Sequence, residues 1–229
     1  MTEIDSIIVA ELIVAERKAL RLLEAIEAAE IIRAGRTELE VERDIFEIAS
    51  RDFAVTEHWH DRIVRAGPNT LCVAGESAPD QLISEDDIVF LDLGPVFGAW
   101  EADVGRSYAI GIDPLKHALC AALPEVFDAL KARFEANPDI TGEKLYAAAH
   151  EEADRRGWRF GGRIAGHLVG EYPYARDPQD KEFRRIAPGN TMRMRDPDPE
   201  GRRRNWILEV HLVSQDGSFG GFYERLLET

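Results

Sequence analysis

Two aspartates, Asp92 and Asp103, lie in segments that otherwise read as apolar strands, within FLDLGPVFGAWEADVGRSYAIG (residues 90–111). An unpaired charge in a protein core is so unfavourable that the group normally neutralises. Glycine permits a positive φ, so we expect the chain to reverse at Phe97-Gly98, which would place Asp92 directly opposite Asp103. Their Cβ atoms would then lie roughly 5 Å apart, and two like charges at that distance destabilise a hairpin unless a cation lies between them.

A second pair of acids follows the same pattern later in the chain. Asp216-Gly217 is the strongest short hairpin signal in the sequence, and a turn there places Glu209 opposite Glu224. Inward carboxylates in two facing pairs suit hard divalent cations, because the ions supply the positive charge that the core lacks. Oxygen ligands joined by an imidazole favour ions of the manganese, iron, cobalt or zinc type.

His167 is the candidate imidazole. It lies in GGRIAGHLVG (residues 161–170), where the glycines let the backbone approach closely, and it follows the apolar pair Ile164 and Ala165. A lone histidine is more often a core or surface residue than a ligand. With the acids already in place, however, ligation becomes the favoured interpretation.

The elements that must position these residues form two comparable halves. Apolar residues recur at helical spacing from residue 6 to about residue 33, and Thr37 is a candidate N-cap for a second helix that ends near Asp52. Segment 139–158 echoes segment 34–53 in its threonine, its early glutamate and its periodicity, so a true internal duplication and a chance likeness of two capped helices are both open. Strand-like segments follow each helical part. The pattern predicts an α+β fold with two related layers around one sheet.

Composition narrows the setting. The 229 residues with 45% hydrophobic content are enough to bury one large core, so we expect a single domain over residues 1–229. A formal net charge of −15 repels nucleic acid and anionic membrane surfaces, and we expect neither as a partner. No apolar run is long enough to span a bilayer, and Cys72 and Cys120 lack metal-type spacing and suit a reducing compartment. We therefore expect a cytoplasmic protein; a homodimer is a further expectation, although no stretch of sequence declares an interface.

The order Asp92, Asp103, His167, Glu209, Glu224 resembles that of the pita-bread metallopeptidases, as do the eleven-residue step between the aspartates and the phrases DLGPVFGAWEADVGRSY and GGRIAGHLVG. That family includes methionine aminopeptidase, aminopeptidase P, prolidase and creatinase. The resemblance runs from the first helix to Glu224 and covers the catalytic domain only. It implies the pita-bread fold, with two pseudo-symmetric halves and a curved, mainly antiparallel sheet covered by helices.

The same resemblance implies a metallopeptidase-like hydrolase. The five residues would hold two divalent ions (manganese, cobalt, iron or zinc) that activate a water. Glu209 would take the proton of that water and deliver it to the leaving amine. The reaction would be hydrolysis of a peptide bond near a free N-terminus, of the aminopeptidase or Xaa-Pro dipeptidase type, on a small peptide or a small-molecule amide.

Two histidines that are usual in that family are missing, and their positions carry Ala74 and Tyr174. Those imidazoles help to hold the substrate and stabilise the tetrahedral intermediate. Tyr174 could donate through its hydroxyl, and His58 or His60, in TEHWHDRIVRAG, could reach the pocket from the preceding strand. A strand edge whose rings face solvent is the alternative interpretation of these two histidines.

One ligand and two functions stay open. PGNTMRMRDPDP also resembles the family phrase that leads into the first glutamate ligand, in which case Asp196 takes the role of Glu209. We favour Glu209, because the hairpin pairs it with Glu224, whereas RDPDPEGRRR is typical of a polar loop. The alternative functions are a creatinase-like hydrolase of a small non-peptide C–N substrate, which the changed accessory positions would suit, and a non-catalytic binding module on the same fold.

Overall fold

The computed structural model describes residues 2–73, 75–173 and 184–227. The helices of this part are α1 (Glu3–Ala28), α2 (Glu38–Phe53), α3 (Pro114–Ala136) and α4 (Gly142–Arg155), with a short 3-10 helix at Gly67–Leu71. The strands are β1 (Ile63–Ala66), β2 (Asp87–Leu93), β3 (Val96–Phe97), β4 (Trp100–Glu101), β5 (Val104–Ile110), β6 (Arg159–Phe160), β7 (Gly166–Val169), β8 (Asn205–Val213) and β9 (Gly220–Leu227).

Threonine N-caps mark the starts of α1, α2 and α4. Thr37 begins α2 as predicted, in a capping box in which its side chain accepts from the Glu40 N–H and the Glu40 side chain accepts from the Thr37 N–H. Thr141 caps α4 through one bond, in which its side chain accepts from the N–H of Lys144. α1 ends at Ala28, earlier than expected, because Glu30 has a φ of 52°, a left-handed conformation that a right-handed helix cannot include. Within the described residues, no helix has both the length and the apolar content needed to cross a bilayer.

The strands form one main antiparallel sheet from two similar halves. Among the described residues its order is β1-β2-β5-β9-β8-β6, with β7 also paired to β8. One half contributes α1, α2 and strands β1, β2 and β5, and the other contributes α3, α4 and strands β6 to β9. The halves meet where β5 pairs with β9. This architecture confirms the predicted α+β pita-bread fold.

The first hairpin has a different register from the predicted one. Asp92 pairs with Gly105, not with Asp103, so the prediction that the two aspartates lie directly opposite each other is wrong. Phe97 pairs with Trp100, and the chain reverses at Gly98-Ala99. Gly98 has a φ of 68° whereas Ala99 is not left-handed, which fits a turn with glycine in the first of its two central positions.

The error in register does not move Asp103 to the other face. The partner of Asp92 shifts by two residues, and side chains alternate along a strand, so residues two apart share a face. The second hairpin agrees with the prediction, since Glu209 pairs directly with Glu224 across β8 and β9. Gly217 adopts a positive φ of 71° in the connecting turn.

Helices cover one face of the sheet. Leu91, next to Asp92, belongs to the core cluster that contains residues of α1 and α2. Leu208, next to Glu209, belongs to the cluster that contains residues of α3 and α4. Because neighbouring side chains in a strand point to opposite faces, Asp92 and Glu209 lie on the face away from these helices.

Candidate metal centre

Sheet pairing brings acids from both halves into one row. Asp92 pairs with Gly105, Gly105 pairs with Glu224, and Glu224 pairs with Glu209. Directly paired residues share a face, so these three carboxylates project on the same side of the sheet. Gly105 leaves room at the centre of the row, where an added Cβ would lie 2.6 Å from the ring of Phe222.

His167 joins the acids from β7. It pairs with Ile207, two residues from Glu209, and therefore lies diagonally across from Glu209. Its Nε2 is 3.1 Å from Asp103 Oδ2, 3.6 Å from Glu209 Oε1 and 3.8 Å from Glu224 Oε1. Its Nδ1 is 2.9 Å from the carbonyl oxygen of Leu168, so Nδ1 donates to that carbonyl and Nε2 is the ring nitrogen that faces the acids.

His60 reaches the same acids from the loop before β1. Its Nε2 is 3.2 Å from Asp103 Oδ1 and 3.3 Å from Asp92 Oδ1. The ring is largely buried, so the solvent-facing interpretation does not hold for this histidine. His58 points elsewhere, since its Nδ1 lies 3.3 Å from Nη1 of Arg62.

Asp103 is shared between two groups of potential ligands. His60, Asp92 and Asp103 form one group, and Asp103, His167 and Glu224 form the other. Within each group, one ligand atom from every residue lies within 4.8 Å of the others. A nearly inaccessible acid common to both groups is the arrangement that two neighbouring cations need.

Burial dominates the electrostatics of the acids. It raises the pKa of Asp92 to about 6 and the pKa of Glu209 to about 7, and it raises the pKa of Glu224 well above its ordinary value. For Glu224, the neighbouring charges of Asp103, Asp92 and Glu209 add to this effect. Burial therefore disfavours the charged forms of these three acids in the metal-free site.

The imidazoles respond in the opposite sense. Burial on its own lowers the pKa of His60, but Asp92 and Asp103 outweigh it and raise that pKa to about 10. Burial likewise lowers the pKa of His167, and Asp103 and Glu209 outweigh it and raise the pKa to about 9. Burial raises the pKa of Asp103, but hydrogen bonds from both imidazoles bring it below its ordinary value. The acids therefore favour the protonated, positively charged forms of both imidazoles.

The residues fit divalent cations. Glu224 Oε2 is buried and has no hydrogen-bond partner among the described residues, and an unsatisfied carboxylate oxygen is costly. A cation would satisfy this atom. Four carboxylates and two imidazoles are the donor types that manganese, iron, cobalt and zinc accept, and four negative charges balance two divalent ions.

A cavity of about 670 Å³ opens onto the cluster. Besides the acids and imidazoles, its walls include four arginines, Arg65, Arg163, Arg184 and Arg185. Glu76 holds two of them, since its side chain lies 2.6 Å from Nη2 of Arg163 and its carbonyl oxygen accepts from Arg65 at 3.1 Å. Positively charged side chains thus line the same cavity as the acids.

Trp59 supports both imidazoles. Its ring packs edge-on against His60 and His167, with centroid distances of 4.2 and 5.1 Å. Its Nε1 donates to the carbonyl oxygen of Ala102 at 3.0 Å, which ties the His60 loop to the residue before Asp103. Trp59 therefore lines the cavity and contacts both histidines.

Three positions named from the sequence lie apart from the cluster or outside the described residues. Asp196 sits in a turn, 3.4 Å from Nε of Arg193, and it does not line the cavity, so the structure brings Glu209 and not Asp196 to the other acids. Ala74 and Tyr174 fall outside the described residues. The four arginines of the cavity wall were not predicted from the sequence. The sequence feature that could have indicated them is the position of Arg163, four residues before His167.

Solved structures share this fold. A prolidase from Thermococcus sibiricus matches with a TM-score of 0.69 and 20% identity over 96% of this chain and 59% of that one. An X-Pro aminopeptidase from Thermotoga maritima matches with a TM-score of 0.68 and 21% identity over 96% and 60% of the two chains. A methionine aminopeptidase from Thermotoga maritima matches with a TM-score of 0.64 and 20% identity over 92% and 88%. The chain therefore spans about three fifths of the length of the first two.

Sequence comparison identifies the family. A search of curated proteins returned no significant match. Residues 11–196 match the family model described as metallopeptidase family M24, a stretch that includes Asp92, Asp103 and His167 and ends before Glu209. Because that match covers most of the sequence, the chain belongs to metallopeptidase family M24.

Proposed function

We propose that residues 1–229 act as one catalytic domain that hydrolyses a peptide bond near a free N-terminus, as an aminopeptidase or an Xaa-Pro dipeptidase. The observation that carries the proposal is the convergence of four carboxylates and two imidazoles on one cavity, with Asp103 shared between two ligand groups. Membership of a metallopeptidase family supports the reaction class. The names of the similar structures, which include prolidases and aminopeptidases, support the substrate class.

Asp92, Asp103, His167, Glu209 and Glu224 would hold two divalent ions, of manganese, cobalt, iron or zinc. Such ions, when bound, polarise a carbonyl oxygen and make a water nucleophilic near neutral pH. Asp103 would contribute a carboxylate to both ligand groups, because it is the residue that the two groups share among the described residues. His167 would serve one ion through Nε2, held in place by the hydrogen bond of its Nδ1 to the carbonyl of Leu168.

Glu209 is the proposed proton carrier. It lines the cavity beside the other acids, and in the metal-free site burial raises its pKa to about 7. It would accept a proton from the attacking water and return it to the amine that leaves. Tyr174 is proposed as a hydrogen-bond donor to the tetrahedral intermediate. His60 is proposed as a further residue that takes part in the reaction.

The cavity walls suggest how a short peptide is held. A volume of about 670 Å³ lies in the range of small-ligand sites. Arg65 and Arg163 would bind the C-terminal carboxylate of a dipeptide, since arginine recognises carboxylates through paired N–H donors. Arg65→Gln should then raise the KM for a dipeptide with a free carboxylate about tenfold and leave the KM of the same peptide amide nearly unchanged. Arg62→Gln, at a position paired with Glu42 and absent from the cavity wall, is the matched control.

A creatinase-like hydrolase of a small non-peptide C–N substrate is the second candidate, because the same arginines would bind any small carboxylate-bearing amide. A non-catalytic binding module is the third. A cytoplasmic location and a homodimer complete the proposal, and analytical ultracentrifugation measures the latter.

The test is elemental analysis of purified protein, wild type beside Asp103→Ala and Glu224→Ala, followed by hydrolysis assays with manganese or cobalt. The substrates are Xaa-Pro dipeptides, other dipeptides and small non-peptide amides. We expect about two ions per wild-type chain, loss of metal in both variants, and turnover of dipeptides. Metal with turnover of small amides alone would favour the second candidate. A wild type that binds no metal in excess ion would overturn the hydrolase and leave the binding module.

A further inference from the structure

We propose that His60 is a sixth metal ligand, so that each of the two ions receives one imidazole. The inference rests on the proposed function in one respect, namely that the site holds divalent ions. It goes further by giving a direct coordinating role to a residue outside the five-residue set.

The position and hydrogen bonding of the His60 ring suit a metal ligand. Its Nε2 lies 3.2 Å from Asp103 Oδ1 and 3.3 Å from Asp92 Oδ1, which makes these three residues one of the two groups whose ligand atoms converge. Its Nδ1 lies 2.6 Å from the carbonyl oxygen of Asp61. Metal-binding histidines usually donate one ring N–H to such an acceptor and present the other nitrogen to the ion.

His60 is also the counterpart of His167 in the two-half architecture. His60 precedes β1, which flanks the β2–β5 hairpin, and His167 lies on β7, which flanks the β8–β9 hairpin. Each ring bonds through Nδ1 to the carbonyl of the next residue and turns Nε2 toward acids. Each half therefore supplies two carboxylates and one imidazole to a common centre.

The surrounding residues make room for this ring. A Cβ on Gly94 would lie 2.3 Å from Cδ2 and 2.5 Å from Nε2 of His60, so the approach of His60 depends on glycine at that position. The N–H of Trp59 donates to the Gly94 carbonyl at 2.9 Å, and the Trp59 ring packs against the imidazole. The loop is thus bonded to the strand that carries Asp92 at the point where His60 needs clearance.

A nitrogen ligand has a chemical consequence. Imidazole favours cobalt, zinc and iron over ions that prefer oxygen alone, such as magnesium and calcium. His60 should therefore increase the preference of the site formed with Asp92 and Asp103 for transition metals. Removing the ring should weaken cobalt binding there more than manganese binding.

The experiment is a titration of metal-free protein with manganese and with cobalt, followed by calorimetry and by the electron paramagnetic resonance of bound manganese. The variants are His60→Ala, His167→Ala and, as a control, His117→Ala, which removes an exposed histidine that contacts the Gly111 carbonyl. We expect the wild type and His117→Ala to bind two ions. His60→Ala should weaken one site more than tenfold and leave the other, and manganese in the wild type should show nitrogen couplings from two imidazoles that fall to one.

Gly94→Ala provides a second variant that keeps every ligand. It should weaken the same site as His60→Ala does, with folding checked by circular dichroism. Two ions bound equally well by wild type and His60→Ala would overturn this inference and leave the proposed function intact. One ion in the wild type and two in His60→Ala would show that the imidazolium takes the place of an ion, which also overturns it. No metal in any of these proteins would overturn both.

Discussion

Glu224 lies directly opposite Gly105, at the place where the two halves of the sheet meet. Asp92 lies on the far side of Gly105, and Glu209 on the far side of Glu224. The one position in this row that lacks a side chain is thus next to its most buried carboxylate. Acids from both halves converge over the glycine, and Phe222 packs close to it.

Substitution of Gly105 by alanine should disturb this convergence. The new Cβ would lie 2.6 Å from Phe222 Cδ1 and 3.0 Å from Glu224 Cβ, so both side chains must shift. We expect about 1–3 kcal/mol of destabilisation from overpacking and about a tenfold loss of manganese affinity. Gly157→Ala is the control, because that glycine has a φ of 79° and open space around it, and its substitution should lower stability without changing metal affinity. Equal metal affinity in both variants would contradict the role given to Gly105.

Replacement of Glu224 by glutamine should have opposite effects on thermal stability with and without metal. In chelator, burial and the neighbouring acids make ionisation of Glu224 unfavourable, and glutamine has no ionisable group, so the melting temperature should stay equal or rise. With manganese at about a hundred times its dissociation constant, the wild type should gain about 2.7 kcal/mol, or roughly 5–10 °C, and the variant much less. Differential scanning calorimetry in both conditions measures this. A variant that is less stable than the wild type in chelator would argue against the electrostatic destabilisation assigned to Glu224.

The acids of α4 offer a test away from the metal centre. Glu152 is almost fully buried and bonds to Arg133, Arg155 and Arg156, whereas Glu151 is largely exposed and bonds to Arg133. Glu152→Gln should cost about 1–3 kcal/mol of unfolding free energy, because charged hydrogen bonds are lost in a buried place. Glu151→Gln should cost less than about 1 kcal/mol, as expected for an exposed ion pair. Urea denaturation compares the two, and similar costs would contradict the ranking by burial.

Asp5 should stabilise the fold in a pH-dependent way. Hydrogen bonds from the backbone N–H groups of Arg203 and Thr2 lower the pKa of Asp5 from its ordinary value to about 2. A lowered folded-state pKa gives stabilisation that is complete above pH 4 and is lost as the pH falls toward 2. Asp5→Ala should therefore be less stable than the wild type at pH 7, and the difference should shrink between about pH 4 and pH 2. Thermal melts across this range measure the difference, and one that does not change with pH would rule out the charge as its source.

Local rules account for the parts of this protein that could be predicted from sequence. The cap at Thr37 and the pairing of Glu209 with Glu224 each depend on a few consecutive residues, namely a threonine before a helical run and an Asp-Gly turn between alternating strands. The order of acids and histidine along the chain, together with the phrases around Asp92, Asp103 and His167, predicted the family and the fold.

Packing between distant segments decided the rest. The register that pairs Asp92 with Gly105 depends on which turn position Gly98 occupies, and a local pattern allows more than one answer. The approach of His60 to Asp103 requires the clearance at Gly94 and the bond from Trp59 to Ala102, contacts between residues some forty positions apart. The sequence alone was enough to propose one set of candidate ligands, namely Asp92, Asp103, His167, Glu209 and Glu224. Their meeting with His60 around one cavity was decided by the tertiary structure, because it arises only when two halves of the chain pair at β5 and β9.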